Sequence, residues 1–301
     1  MIFDSHRSFV CSMVPTAPRL MLSLCILLLA SSPPATAQPR IATLDWTLAE
    51  TLIALDAAPV GIAQIDAYRA WVGAPHPPAS SVDLGLRSQP NLELLASLAP
   101  DYLVISPMFS NLVPRLERIA PVHLFSLYRA DQDTWQQLCD MTRGIAQLAE
   151  REAEAEQMIE EAEARLEALA QQRTSDPSPL LVIQFIDDRH VRVFGRGGLY
   201  QAVMTRLGLD NAWQGETNAW GFSLVPLEQL IPLDAQLVVI EPYPLGVEAA
   251  LTRSALWPLL PSVAEDRVIN LPAVWSFGAL PSAMRFAELL AAHLEGDIDA
   301  L

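Results

Sequence analysis

Aromatic rings stand where loops are expected. Trp46 follows a first apolar strand, Tyr68 and Trp71 lie in a Pro-rich stretch, Trp213 and Trp220 fall within Asn211–Gly221, and Trp275 and Phe277 within Pro272–Gly278. So many rings at loop positions imply a cleft that receives a small organic molecule, with a few polar groups to orient it. For each ring taken singly, the competing explanation is a plug between packed elements. Arg87, in Asp83-Leu-Gly-Leu-Arg-Ser-Gln-Pro90, adds a planar fork of donors suited to carbonyl, hydroxamate or carboxylate oxygens. Alone, a loop arginine is usually solvated.

Other chemistries find less support. His76, His123, His190 and His293 show no metal-ligand spacing and there is no H-E-x-x-H, so no direct metal site is expected. Gly195-Arg-Gly-Gly198 lies between a strand and a helix but lacks the third glycine of a dinucleotide loop, since Tyr200 stands there, and the Lys-Ser/Thr of a phosphate loop. It reads as a tight turn. No nucleophile elbow and no Ser/His/Asp set is evident, so the chain does not read as an enzyme and no cofactor is expected.

These residues need a scaffold, and the pattern is α/β. The continuous apolar run in the strand Tyr102–Ser106 predicts a buried parallel sheet, Leu180–Phe185 reads as a further strand, and such strands alternate with helices over 47–57, 91–98, 112–119, 198–207 and 282–294. Residues 66–81 read as a loop, and Asp133 or Thr134 as a helix N-cap. Between two such blocks lies Gln147–Arg173, free of Gly and Pro, with Leu148, Ala155, Met158, Ile159, Ala162, Leu166 and Leu169 on one stripe. It predicts a rod of roughly 40 Å. The organisation expected is an N-terminal lobe over 38–146, the bridging helix over 147–173 and a C-terminal lobe over 174–301.

Residues 1–37 read as an export signal. Leu20–Ala30 is apolar but well short of the roughly 20 residues of a membrane span, and Ala35-Thr-Ala37 places cleavage before Gln38. Met13 and Met21 are alternative starts, and an uncleaved anchor is the competing reading. The formal charge of −16 falls to −17 without Asp4, Arg7 and Arg19, which argues against nucleic acid or an anionic membrane as partner. Of the three cysteines only Cys139 then remains, so no internal disulfide is expected and the thiol reads as buried.

A weak internal repeat aligns Asn91–Ser106 with Pro226–Glu241 without gaps. Glu93 and Glu228 coincide in it, each in the first turn of a helix. A carboxylate there is favoured by the helix dipole; a surface role duplicated on both lobes is the other explanation.

The chain resembles the periplasmic ferric-siderophore binding proteins of ABC importers, specifically the ferric-hydroxamate (ferrichrome-type) binders, from about Arg40 to Gly296. The stretches that carry it are Tyr68–Val72, Val82–Leu95, Asn211–Gly221 and Pro272–Trp275. The resemblance implies a class III periplasmic binding protein, with two Rossmann-like lobes bridged by one long helix, little hinge motion and a shallow aromatic cleft. It makes Arg87 the donor to the iron-coordinating hydroxamate oxygens, with Trp46, Trp71, Trp213, Trp220, Trp275 and Phe277 as an aromatic wall and Asn218 as a polar contact. It also implies that Glu93 and Glu228 pair with arginines of an inner-membrane permease. Two departures concern ligand choice. Phe109 stands where the family places a Tyr, and Arg192 where it places an aliphatic residue. The added cation suits a ligand with a free carboxylate or net negative charge. The expected protein is a periplasmic monomer that hands an iron(III)–hydroxamate siderophore to its permease. Haem, cobalamin or a catecholate complex on the same fold, and an exported siderophore hydrolase, are the alternatives.

Overall fold

The computed structural model describes residues 38–130, 132–173 and 178–296. The expected signal segment lies outside them. Two five-stranded sheets carry the fold. In the N-terminal lobe, β1 (Ile41–Thr43), β2 (Gly61–Ile62), β3 (Val82–Asp83), β6 (Tyr102–Ile105) and β7 (Val122–Leu124) run parallel in the order β3-β2-β1-β6-β7. A small hairpin, β4 (Gly85–Leu86) with β5 (Gln89–Pro90), projects Arg87 from its turn. In the C-terminal lobe, β8 (Leu180–Phe185), β9 (His190–Phe194), β10 (Phe222–Pro226), β11 (Gln236–Ile240) and β12 (Val268–Leu271) give the order β10-β9-β8-β11-β12. Here β8, β11 and β12 are parallel, and β9 is antiparallel to both its neighbours. Every residue of β8 is buried, the polar Gln184 among its apolar neighbours included. Strand β10 is an addition to the expected elements; its terminal proline suits an edge strand.

Helix α1 (Trp46–Ala54) starts directly after β1 because Asp45 caps it, accepting from Thr47 N at 2.9 Å. Trp46 is therefore the first residue of a buried helix and not a loop residue. The expected loop over 66–81 is also corrected, since α2 (Ile65–Trp71) occupies its first part. The cap of α2 is not local: Asp83, on β3, accepts from Gln64 N and Ile65 N at 3.1 and 3.0 Å. Helix α3 (Leu92–Ser97) is capped by Asn91, and α4 (Val113–Leu116) follows a 3₁₀ turn at Pro107–Leu112.

The rod expected over 147–173 is present as α6 (Glu152–Gln172) but begins five residues later, because the chain breaks at Glu150 and α6 forms a helical hairpin with α5 (Thr134–Ala149). Glu150 takes a left-handed conformation, φ 56°, and the amides of Glu150 and Arg151 both close on Ala146 O. That ends α5 and turns the chain back. Arg143 meets Glu156 across the turn at 2.7 Å. Both arms pass between the lobes. Trp135 at the start of α5 packs with Phe194 and Tyr200 of the C-terminal core, while Ile145, Ala146 and Ala149 pack on Leu48 and Leu52 of α1. Helix α6 makes the return journey, from Ala155 to Leu166 and Leu169. Asp133 is the N-cap of α5, accepting from Gln136 N. Cys139 is buried on α5, its thiol pushed up to about 11, chiefly by burial.

Helix α7 (Leu199–Arg206), the short α8 (Val247–Leu251) and α9 (Pro261–Ala264), and the closing α10 (Leu280–Glu295) complete the C-terminal half. The internal repeat is a topological one: β6 and β11 each occupy the fourth place in their sheet. Its second copy has Pro226 where the first has Asn91, so it lacks that side-chain cap and forms only a 3₁₀ turn, Leu227–Leu230.

Candidate ligand cleft

Three loops meet beside α1. They are the β4–β5 turn, the segment after β6, and the run 272–279 between β12 and α10. With Phe125–Tyr128 and Trp220 they enclose a cavity of about 190 Å³, lined on its polar side by Asp45, Arg87 and Ser106 and on its apolar side by Met108, Trp220, Trp275 and Phe277.

Arg87 is fixed from several directions. Its Nε donates to Leu44 O at 3.0 Å, and its Nη2 lies 3.8 Å from Asp45 Oδ2. The Asp45 carboxylate is itself held by Thr47 N and by Ser106 Oγ, which donates at 2.6 Å. The guanidinium carbon sits 4.4 Å from the Trp46 ring centroid, 5.1 Å from Phe109 and 5.8 Å from Trp275. Burial lowers the Arg87 pKa and Asp45 opposes that shift. A cation in this aromatic, largely dry setting interacts more strongly with a ligand oxygen than it would in water.

The rings are held by their polar handles. Trp46 Nε1 donates to Ala63 O at 2.9 Å; Trp275 Nε1 donates to Thr47 Oγ1 at 3.0 Å, and Thr47 Oγ1 in turn donates to Phe277 O at 2.7 Å. Edge-to-face contacts run from Trp46 to Trp275 (5.0 Å), Trp275 to Phe277 (5.3 Å) and Phe277 to Trp220 (5.6 Å). Arg87, Trp220, Trp275 and Phe277 thus line one cavity, while Trp46 and Phe109, each 5% exposed, back it from beneath Arg87.

The remaining candidates sit differently. Trp71 ends α2 and packs beside Trp46 and Tyr68 without reaching the cavity wall. Asn218 turns its carboxamide oxygen to the amides of Trp220 (2.9 Å) and Phe222 (3.3 Å), so it shapes the loop that presents Trp220. Trp213 is not in the cleft. It borders a larger groove of the C-terminal lobe, about 920 Å³, together with Asp210 and Asp234. Its indole lies against Gly195 and Gly215, where any side-chain carbon would come within 2.9 Å of it. That groove is nearly five times the size but gathers no aromatic wall and no buried cation. Arg192 flanks the cleft, 5.6 Å from the Phe277 ring centroid. Glu93 and Glu228 are exposed, away from the cavity, in the first turns of α3 and of the 3₁₀ turn Leu227–Leu230.

Tyr128 escaped the sequence reading. It is buried, lines the cavity, donates to Gly278 O at 2.6 Å and lies 6.0 Å from Trp220. Its place after the carboxyl end of β7 was a usable signal, because ligands in α/β sheets collect there. Among the described residues no three His, Cys, Asp or Glu side chains converge as metal ligands, and no helix is long and apolar enough to cross a membrane.

Two α/β lobes joined by long helices, with an aromatic and cationic cleft between them, define a substrate-binding protein of class III architecture. The chain belongs to the periplasmic binding protein family, whose model matches residues 41–274. It is 35% identical over 253 residues to the iron(3+)-hydroxamate-binding protein FhuD of Escherichia coli strain K12, covering 83% of this chain and 85% of that one. The achromobactin-binding periplasmic protein of Dickeya dadantii is 28% identical, over 85% of this chain and 88% of its own. Among solved structures, the siderophore-binding protein FhuD of Vibrio cholerae with Fe3+-Desferal bound superposes with a TM-score of 0.81 at 27% identity, covering 86% of this chain and 98% of that one.

Proposed function

We propose that this chain is the substrate-binding component of an ABC importer, capturing an iron(III)–hydroxamate siderophore in the periplasm and delivering it to an inner-membrane permease. The observation that carries the reading is Arg87, held by Leu44 O and flanked by Trp46, Phe109 and Trp275 at the wall of the interlobe cavity. Hydroxamate oxygens bound to iron(III) retain lone pairs and partial negative charge. A guanidinium whose Nε is fixed by the protein can offer its remaining N–H groups to them. The rings of Trp220, Trp275 and Phe277 cover the organic shell of the complex. Iron is cargo, coordinated by the siderophore and not by protein side chains. The name of the Escherichia coli relative supports a hydroxamate ligand. No bond is made or broken in this role.

The docking half of the proposal rests on Glu93 and Glu228, exposed at equivalent places in the two lobes, where each can meet a permease cation. Tryptophan fluorescence tests the ligand. A ferric trihydroxamate should quench saturably at micromolar concentration or below, and the iron-free siderophore should bind far more weakly. Quenching by haem or cobalamin with none by any ferric hydroxamate would overturn the reading.

A further inference from the structure

Among the described residues, Arg192 carries a charge without a counter-ion. It lies in β9, with Gln184 of β8 and Leu224 of β10 as its register partners. Its Nη1 donates to Gln184 Oε1 at 3.1 Å, and among the described residues this neutral acceptor is its one hydrogen-bond partner and no carboxylate pairs with it. The guanidinium rests 5.5 Å from the Phe222 centroid and 5.6 Å from Phe277, and it is half-buried.

Its support is built with care. Gln184 is 2% exposed and accepts from Ser276 Oγ at 3.3 Å; Ser276 Oγ is 3.1 Å from the buried Tyr200 hydroxyl. A chain of neutral groups thus holds the cation in one place and supplies no opposing charge. Of the five N–H donors of a guanidinium, the fold employs one. A partly desolvated cation in that state is an uncompensated cost in the free protein, and an incoming anion offsets it. The position decides which anion. Phe277 lies under Arg192 and also lines the cavity with Arg87. The legs from Arg87 to Trp275 (5.8 Å), to Phe277 (5.3 Å) and to Arg192 (5.6 Å) bound the separation of the two guanidinium carbons at under 17 Å. One chelate can span both.

We propose that Arg192 anchors a second, anionic subsite, and that the chelate carried by this chain bears a carboxylate in addition to its iron-binding oxygens. The inference rests on the reading of the cleft as a ferric-chelate site. The forked guanidinium matches a carboxylate in two parallel hydrogen bonds, and the Phe222 and Phe277 rings exclude water from one side of the pair. A purely structural Arg192 would hold Gln184 in place but would not discriminate between ligands that differ only in a carboxylate.

The test uses the full mature chain and three probes. Two are ferric complexes of one linear trihydroxamate whose terminal amine is capped with an acetyl or a succinyl group; the third is ferric citrate. Affinities are read by tryptophan quenching for the native chain and for Arg192→Leu. The native chain should prefer the succinyl form by about tenfold, and Arg192→Leu should abolish that preference. Equal affinity for the two caps in the native chain, or a preference that survives Arg192→Leu, overturns the subsite. If neither hydroxamate binds but ferric citrate does, and Arg192→Leu loses it, the subsite stands and the hydroxamate reading falls. Citrate binding that ignores Arg192, or no binding by any probe, removes the subsite as well.

Discussion

Glu50, in the first helix of the N-terminal lobe, accepts a hydrogen bond from the amide of Ala279 at the head of the last helix. Its other oxygen pairs with Ser282 Oγ, and the carboxyl is fully buried. This pair ties α1 to α10 directly beside Trp275 and Phe277. Burial is the main cause that raises the Glu50 pKa to about 8, so the folded chain keeps a proton that the unfolded chain releases near 4.5. The stabilisation is complete below 4.5 and is lost as pH rises through about 8. Stability should therefore fall with rising pH over that window, by at most about 1.4 kcal/mol per unit from this group. Denaturant midpoints of the native chain and Glu50→Gln, measured from pH 5 to 8.5, check this. The glutamine variant mimics the neutral carboxyl, so its curve should be flatter. Parallel curves would remove Glu50 as the source.

Arg87 offers the sharpest test of the cleft. Replacing it with Ala should weaken ferric-hydroxamate binding by about 2 kcal/mol or more, roughly thirtyfold. Arg87→Lys should rescue little. A lysine keeps the charge but cannot reproduce the fixed Nε bond to Leu44 O together with further N–H groups aimed at the ligand. Calorimetric affinities of the three proteins decide it; full activity in the lysine variant would reduce the role of Arg87 to its charge.

Much of this arrangement was written in local sequence, and the exceptions have physical causes. The β6 strand announces itself by an unbroken apolar run and β8 by a run broken at Gln184, and the candidates Arg87, Trp220, Trp275 and Phe277 are marked by their motifs. The break at Glu150 does not. Neither Gly nor Pro marks it, and the left-handed glutamate is held by antiparallel packing of α5 on α6 and by the Arg143–Glu156 pair. Helix α2 was hidden because its cap, Asp83, comes from a different strand. Trp213 misled because a motif records which residues recur together and not which way a ring points; Gly195 and Gly215 make room for it away from the cleft. Glu50 reads as one more polar position in a helix until Ala279, at the far end of the chain, closes on it.

The placement of Trp213 makes a prediction of its own. Trp220→Ala should cost about 1–3 kcal/mol of ligand affinity, since it removes a ring from the cavity wall and its contacts with Phe277 and Tyr128. Trp213→Phe should change affinity by less than about twofold, because its side chain borders the separate groove. Side-by-side titrations check the contrast. Comparable losses in both would place Trp213 in the site after all.

Glu93 and Glu228 sit just ahead of β6 and β11, the equivalent strands of the two sheets, and both carboxylates face solvent. Neither lines the cavity, so both can be changed without altering its lining. If they dock the permease, Glu93→Gln with Glu228→Gln should preserve ferric-hydroxamate affinity while slowing uptake by about tenfold or more, and each single change should have a smaller effect. Exposed ion pairs are screened by salt, so association of the native chain with its reconstituted permease should weaken as ionic strength rises. The double variant should show a shallower dependence, because the charges that salt would screen are gone. Uptake assays and permease co-purification at low and high salt read both effects. Unimpaired delivery by the double variant would return the two glutamates to a local role, acids favoured in the first turn of their own short helices.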